Sequence, residues 1–201
     1  MRRIVAYNNV SADGYFSAPD GNLNWVNHDP EIERANADAS QQHGPGTLLF
    51  GRRTYEQFES FWPHVLSDSP TAPDPHRPGR VSSEMKAFAE SINAATKIVW
   101  SKSRKDFTWK NTRHLREFDA REVERLKQDA GTDMMIFGSG SIASQLTEHG
   151  LIDEYQFIVS PLLLGSGKSL IRDVAKSLKL NLIDSSSYKS GNVMLRYAPA
   201  K

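Results

Sequence analysis

The stretch Met134–Leu146, MMIFGSGSIASQL, limits what this chain can fold into more than any other. Met134, Met135, Ile136 and Phe137 form a short apolar run of the kind buried strands show, and Ile142, Ala143 and Leu146 repeat at helical spacing. Between them lies Gly138-Ser139-Gly140-Ser141. A strand that turns through glycines into a helix aims backbone N–H groups and the positive end of the helix dipole at one point, which suits phosphate. Gly138, Gly140 and Ala143 fit G-x-G-x-x-[GA]. The same letters also describe an ordinary glycine turn, so the neighbouring segments have to arbitrate.

Those segments alternate. Thr47–Phe50 and Lys97–Trp100 are further compact apolar runs. Gly51-Arg52-Arg53-Thr54-Tyr55 opens a helix expected to end at Trp62-Pro63, and Val81, Met85, Phe88, Ala89 and Ile92 give the next helix its inward stripe. Asp119-Ala120-Arg121-Glu122 has capping-box spacing before Val123, Leu126 and Ala130, with Gly131 as the stop. Upstream, Ile4–Asn9 is a strand candidate. Asp29-Pro30-Glu31 starts a helix expected to reach about His43 with Ile32, Ala35 and Ala39 inward. Strand–helix alternation of this sort predicts parallel βαβ units. After Gly150, Tyr155, Phe157 and Val159 alternate, as do Leu178, Leu180 and Leu182, and Val193-Met194-Leu195 closes the series; these predict antiparallel strands at one edge. The expectation is one three-layer α/β/α domain over residues 1–201 with a mixed, mostly parallel sheet. Residues 63–79, which hold five of the ten prolines, are an excursion from it.

Composition narrows the function classes. A formal net charge of +1 offers no basic field for nucleic acid. No run approaches the roughly 18 apolar residues of a membrane span. The start, Met1-Arg2-Arg3-Ile4-Val5, reads as a strand rather than a secretory signal. Cysteine is absent, which removes disulfides, thiolate nucleophiles and Cys-type zinc sites. The six histidines show no metal-ligand spacing, so no metal is expected, and the default location is the cytoplasm.

In a parallel sheet, ligands bind beyond the carboxyl ends of the strands. Three turns there carry phosphate-friendly chemistry: Gly51-Arg52-Arg53-Thr54, Ser101-Lys102-Ser103-Arg104 and Gly138–Ser141. The first joins a glycine to two planar guanidiniums and a hydroxyl. Arginines at a helix start are also commonly just solvated. Taken together, three such turns suit a large, multiply charged ligand, and a dinucleotide with a 2′-phosphate fits. Gly165-Ser166-Gly167-Lys168-Ser169 ends like a P-loop, but Leu162 stands where the first glycine belongs and no helix follows, so it reads as a hairpin or bulge loop.

Ser11-x-Asp13-Gly14, Asp20-Gly21, Trp25, Gly51–Glu56, the Gly138–Ser141 turn, Leu151–Glu154 and Pro161–Gly167 occur in an order that resembles the dihydrofolate-reductase-like superfamily. The nearest likeness is to the reductase domain of the riboflavin-biosynthesis deaminase–reductase and its stand-alone relatives, over nearly the whole chain. That resemblance implies a reductase fold that binds NADPH and assembles as a homodimer. It implies that Gly51, Arg52, Arg53 and Thr54 hold the adenosine-side phosphates, that Ser101 and Lys102 line the adenine ribose, and that Gly138, Ser139, Gly140, Ser141 and Ile142 hold the pyrophosphate. It places Asp13-Gly14 near the nicotinamide and the substrate. No deaminase portion is expected, and the acid that folate enzymes carry in their first helix has three candidates here, Glu31, Glu33 and Asp38.

Hydride transfer is the cofactor's chemistry; the protein positions it and supplies a proton. Asp13 is the candidate proton donor, or a substrate-bound water, although Asp-Gly is also a common turn pair. Tyr7, Phe16 and Trp25 are candidates for a flat slot around a heteroaromatic substrate, a role that competes with plain core packing. The expected function is NADPH-dependent reduction of a small heterocyclic (pterin- or ribosylpyrimidine-like) or carbonyl substrate. The alternative is a non-catalytic NADP(H)-binding sensor or partner protein.

Overall fold

The computed structural model describes residues 1–43, 46–66 and 81–200. In chain order the elements are β1 (Ile4–Ser11), α1 (Pro30–His43), β2 (Thr47–Gly51), α2 (Arg52–Val65), α3 (Ser83–Ala94), β3 (Thr96–Trp100), β4 (Thr112–Leu115), α4 (Ala120–Gln128), β5 (Met134–Phe137), α5 (Gly140–Glu148), β6 (Glu154–Ser160), β7 (Leu180–Ser187) and β8 (Val193–Pro199). The strands form one sheet in the order β4-β3-β2-β5-β1-β6-β8-β7. β1 lies at its centre, with Tyr7 opposite Phe137 of β5 on one side and Gln156 of β6 on the other.

The sheet is sandwiched because its central strands are apolar on both faces. In β2 and β3 the side chains divide by parity. Leu49, Ile98 and Trp100 face one layer with Val123 and Leu126 of α4 and Ile142, Ala143 and Leu146 of α5. Leu48, Phe50 and Val99 face the other, with Tyr55 of α2 and Ile92 of α3. Leu49, Phe50, Val99, Met134 and Ile136 are completely buried. Each such side chain contributes about 1.5–3 kcal/mol relative to exposure.

Caps fix where the helices begin. Asp29 Oδ1 accepts the amides of Glu31 (2.7 Å) and Ile32 (3.1 Å), Ser82 Oγ accepts that of Met85, and Asp119 that of Arg121. Both α2 and α5 lack a side-chain cap.

Several expectations need correction. α2 runs through Pro63 to Val65, because only the last turn lacks a hydrogen bond there and Val65 is anchored in the interior. The Pro-rich excursion from residue 67 on lies outside the described residues. In α1 the buried residues among those described are Ile32 and Ala37, whereas Ala35 and Ala39 are exposed; Asn36, whose Nδ2 donates to the Tyr7 hydroxyl at 2.9 Å, sets the rotation of the helix. α4 stops at Gln128, leaving Ala130 exposed. β6 is parallel to β1 and antiparallel to β8. The change of direction therefore falls at β8, which alone among the described strands runs against the rest. Since β6 and β7 are not neighbours, residues 161–179 form a crossover rather than a hairpin, and Lys168 makes an isolated antiparallel bridge with Ser17.

Candidate functional site

The carboxyl ends of β1, β2, β3 and β5 open onto one cleft of about 1050 Å³, at the upper end of what small-molecule sites occupy. Residues 51–54, 101–103 and 138–141 all line it. The three turns singled out in the sequence therefore meet in a single trough.

Ser139 joins two of them. It takes a left-handed conformation at the start of α5 (φ 53°, ψ 48°). Its Oγ accepts the Gly51 amide at 3.1 Å, and its own amide donates to Thr54 Oγ1 at 3.1 Å. The amides of Ile142 and Ala143 are both spent on the Ser139 carbonyl. Those of Gly140 and Ser141, in the first turn, have no intrahelical acceptor. α2 starts at Gly51, and neither helix has an acid in its first turn. Two helix N-termini held side by side without cap or carboxylate make a donor set that fits an anion.

Gly140 is closely packed: a Cβ there would sit 3.0 Å from the Leu170 carbonyl and 3.4 Å from the Phe16 ring, so a larger residue would push one of them back. Phe16 and Leu170 thus pack directly against the first residue of α5. The Ile142 side chain is buried 3.3 Å from where a Gly51 Cβ would be, and serves the core rather than the cleft.

The cations divide. Arg52 pairs with Glu56 one turn on (2.9 Å). Lys102, largely exposed, reaches Glu117 at 3.5 Å. Arg104 is committed to Glu59 (2.6 Å) and lies over the Tyr55 and Phe107 rings. Arg53 is exposed and makes no ion pair among the described residues. Ser101 is buried; its Oγ accepts the Arg104 amide, which shapes the turn.

Toward β1 the cleft becomes aromatic. Tyr7 meets Phe137 edge-on at 5.7 Å. Phe137 also stacks on Phe58 at 5.9 Å and meets Phe88 edge-on at 6.2 Å. Tyr7 and Phe137 divide the cleft from a second cavity of about 760 Å³ that runs between the sheet and α3. Burial pushes the Tyr7 phenol up to about 12, so it stays protonated. The aromatic side chains lining this end of the cleft are therefore Tyr7, Phe16, Phe58 and Phe137, whereas Phe88 supports Phe137 from the second cavity. Trp25 does not line the cleft, and its Nε1 is buried without a partner among the described residues.

Asp13 is not placed as a proton donor. Its exposed carboxylate accepts from Ser11 Oγ (2.6 Å) and from the amides of Leu164 (3.1 Å) and Gly165 (2.7 Å). The Ser11 bond foremost, then the Leu164 amide, holds it below the usual carboxylate range. An acid with its oxygens occupied, outside the cleft lining, ties the β1 end to the crossover. Of the α1 acids, Glu33 pairs with His28 (3.2 Å), and Glu31, Glu33 and Asp38 are all absent from the cleft lining.

Sequence reasoning missed Asn8, Lys168 and Arg172, which all line the cleft. Asn8 is 3% exposed and neither of its amide atoms has a partner among the described residues. Lys168 belongs to the P-loop-like string 165–169, whose sequence context reads as a hairpin or bulge loop.

A sequence model of the RibD C-terminal domain matches residues 2–195. The chain belongs to the RibD C-terminal domain family. The chain is similar to the uncharacterized protein YyaP of Bacillus subtilis (strain 168), 25% identical over 197 residues, which cover 98% of this chain and 95% of that one. Among solved structures, a putative riboflavin biosynthesis protein from Shewanella sp. PV-4 superposes with a TM-score of 0.71 at 19% identity, covering 99% of both chains. Dihydrofolate reductase from Enterococcus faecalis complexed with NADP(H) and RAB-propyl superposes at 0.59 with 14% identity, over 99% of this chain and 97% of that one. The fold is accordingly dihydrofolate-reductase-like, with a mostly parallel sheet and the change of direction at its C-terminal strands. No helix among the described residues is long and apolar enough to cross a membrane.

Proposed function

We propose that this member of the RibD C-terminal domain family is an NADPH-dependent reductase of a small heterocyclic substrate, pyrimidine-like in size and polarity. The observation that carries the reading is the Ser139 junction, where two uncapped, acid-free helix starts share one cleft with the Arg52–Arg53 turn. On this reading Gly51, Arg52, Arg53 and Thr54 hold the adenosine-side phosphates, Ser101 and Lys102 border the adenine ribose, and Gly138–Ser141 take the pyrophosphate. The cofactor supplies hydride when bound. The chain's own part is to orient and to exclude water, with Tyr7, Phe137 and Phe58 forming the walls that grip a flat ring.

The proton comes from water in this account. Asp13 is held as a carboxylate by its hydrogen bonds, and so is Asp20, chiefly by the Asn22 amide. That same feature favours the second reading, an NADP(H)-binding sensor without turnover. The two separate in one experiment: oxidation of NADPH by the purified protein against pterins, ribosylpyrimidines and simple carbonyls. Reduction of a ribosylpyrimidine supports the enzyme; bound NADPH that survives the whole panel supports the sensor. The homodimer expected from the resemblance is part of the proposal, with Leu182 and Ile183 of β7, 57% and 49% exposed, as the apolar surface available for it. Light scattering on a sizing column reads the mass.

A further inference from the structure

The string Gly165-Ser166-Gly167-Lys168 has the letters of a phosphate loop but not the architecture, because no helix follows it. Its course is nonetheless fixed. A Cβ on Gly167 would lie 2.5 Å from the Ser17 carbonyl and 2.8 Å from the Tyr15 side chain, so only glycine permits the approach. Next to it, the Lys168 amide donates to the Ser17 carbonyl at 2.9 Å and the Phe16 amide to the Lys168 carbonyl at 3.0 Å. Asp13 grips the loop at Leu164 and Gly165. Leu170 is buried with its carbonyl against Gly140, and the Arg172 amide donates to Ser144 Oγ of α5 at 3.0 Å. The loop is laid along the start of α5 and clamped at both ends.

What this brings to the cleft is charge. Lys168 and Arg172 both line it, and among the described residues neither is in an ion pair. Asp20, the acid that feels Lys168, has its carboxylate oxygens taken by the Asn22 amide and side chain at 2.7–2.9 Å. Two unspent cations on a clamped backbone, across from a helix start whose first amides are open, call for a ligand with concentrated negative charge.

Resting on the cofactor reading above, we propose that the 165–172 loop is a second phosphate-binding wall of the cleft, in which Lys168 and Arg172 hold the diphosphate of the dinucleotide against the Gly138–Ser141 turn. The ammonium and the guanidinium neutralise from the loop side what the α5 amides meet from below. A cation pair at this site acts on the diphosphate and leaves the adenosine 2′-phosphate, held at the Arg52–Arg53 turn, almost unaffected.

The test is calorimetric titration of the wild type, Lys168→Gln, Lys168→Arg and the double variant K168Q/R172Q with NADPH, inorganic pyrophosphate, adenosine 2′-phosphate and ribose 5-phosphate. K168Q/R172Q is expected to weaken NADPH and pyrophosphate by roughly tenfold or more, to shift adenosine 2′-phosphate by less than about twofold, and Lys168→Arg to restore most of the loss. Circular dichroism melts establish that each variant is folded. Unchanged affinity for NADPH and pyrophosphate in the double variant overturns the inference. So does an equal loss for adenosine 2′-phosphate, which makes the effect a general field, and so does a loss confined to ribose 5-phosphate, which assigns the loop to a phosphorylated substrate. If the wild type binds pyrophosphate through Lys168 but not NADPH, the cofactor reading fails while the phosphate wall stands; a wild type that binds neither removes both.

Discussion

Ser139 accepts the Gly51 amide on its hydroxyl and donates its own amide to Thr54, both at 3.1 Å. The side chain that would ordinarily cap its own helix instead ties α5 to α2, which fixes the distance between two anion-binding ends. Ser139→Gly keeps the left-handed backbone and deletes the hydroxyl. It leaves the buried Gly51 amide without an acceptor, at a cost of about 1–3 kcal/mol. A lower midpoint in urea melts, together with weaker NADPH binding, is the expected pair of results.

Gly167→Ala tests the clasp between the crossover and the β1 end. The Ser17 carbonyl, 2.5 Å from the new methyl, is backbone and cannot step aside cheaply, so a loss of about 1–3 kcal/mol is expected. In Gly14→Ala the methyl meets nothing within 4 Å, so only the strain of its positive φ remains. Thermal melts of the two variants separate clash from backbone strain.

Asp13→Asn distinguishes a clasp from a proton donor. The Asp13 carboxyl sits below its ordinary range in the folded protein, so its contribution is present above the unfolded carboxylate pKa and is lost as pH falls through the folded value. The variant should therefore be less stable than wild type at neutral pH and match it in acid. Any pH–rate profile should keep its shape, with no acid limb removed.

Lys97 gives a pH dependence of the same sign in an alkaline window, because here it is the charged form that the fold disfavours. It is completely buried, its Nζ donating to the Asn93 carbonyl (2.6 Å) and the Lys110 carbonyl (3.0 Å) and lying 4.4 Å from the Trp109 ring centre. Burial lowers it from 10.5 to about 8. Between those values the unfolded chain binds the extra proton, so stability rises with pH across that window and carries the full cost of the buried charge below it. Urea melts of wild type and Lys97→Met, taken from pH 8 to 10.5, should show the wild type gaining roughly 3 kcal/mol relative to the variant.

The parts of the fold legible from sequence are those where local and global signals agree. β2, β3 and β5 are apolar runs ended by glycine or by a polar turn, and both faces of the sheet need them. β4, Thr-Arg-His-Leu, is an edge strand paired only with β3 and half exposed, so it carries no apolar signature. The rotation of α1 depends on the Asn36–Tyr7 bond, which no periodicity encodes. In the site, the glycine turns were legible because backbone geometry restricts residue type there. Asp13 misled because an Asp-Gly pair looks the same whether its carboxylate serves chemistry or a loop 151 residues away. Lys168 was hidden by a motif whose usual architecture is missing.

Trp100 lines the cleft beside Ser101, so its fluorescence reports on ligands there. The decisive measurement is its quenching as the protein is titrated in parallel with NADPH and NADH at moderate salt. The account predicts saturable NADPH binding at least about tenfold tighter than NADH, from charge-assisted bonds to the 2′-phosphate. Equal affinity for the two, or no binding of either, contradicts it.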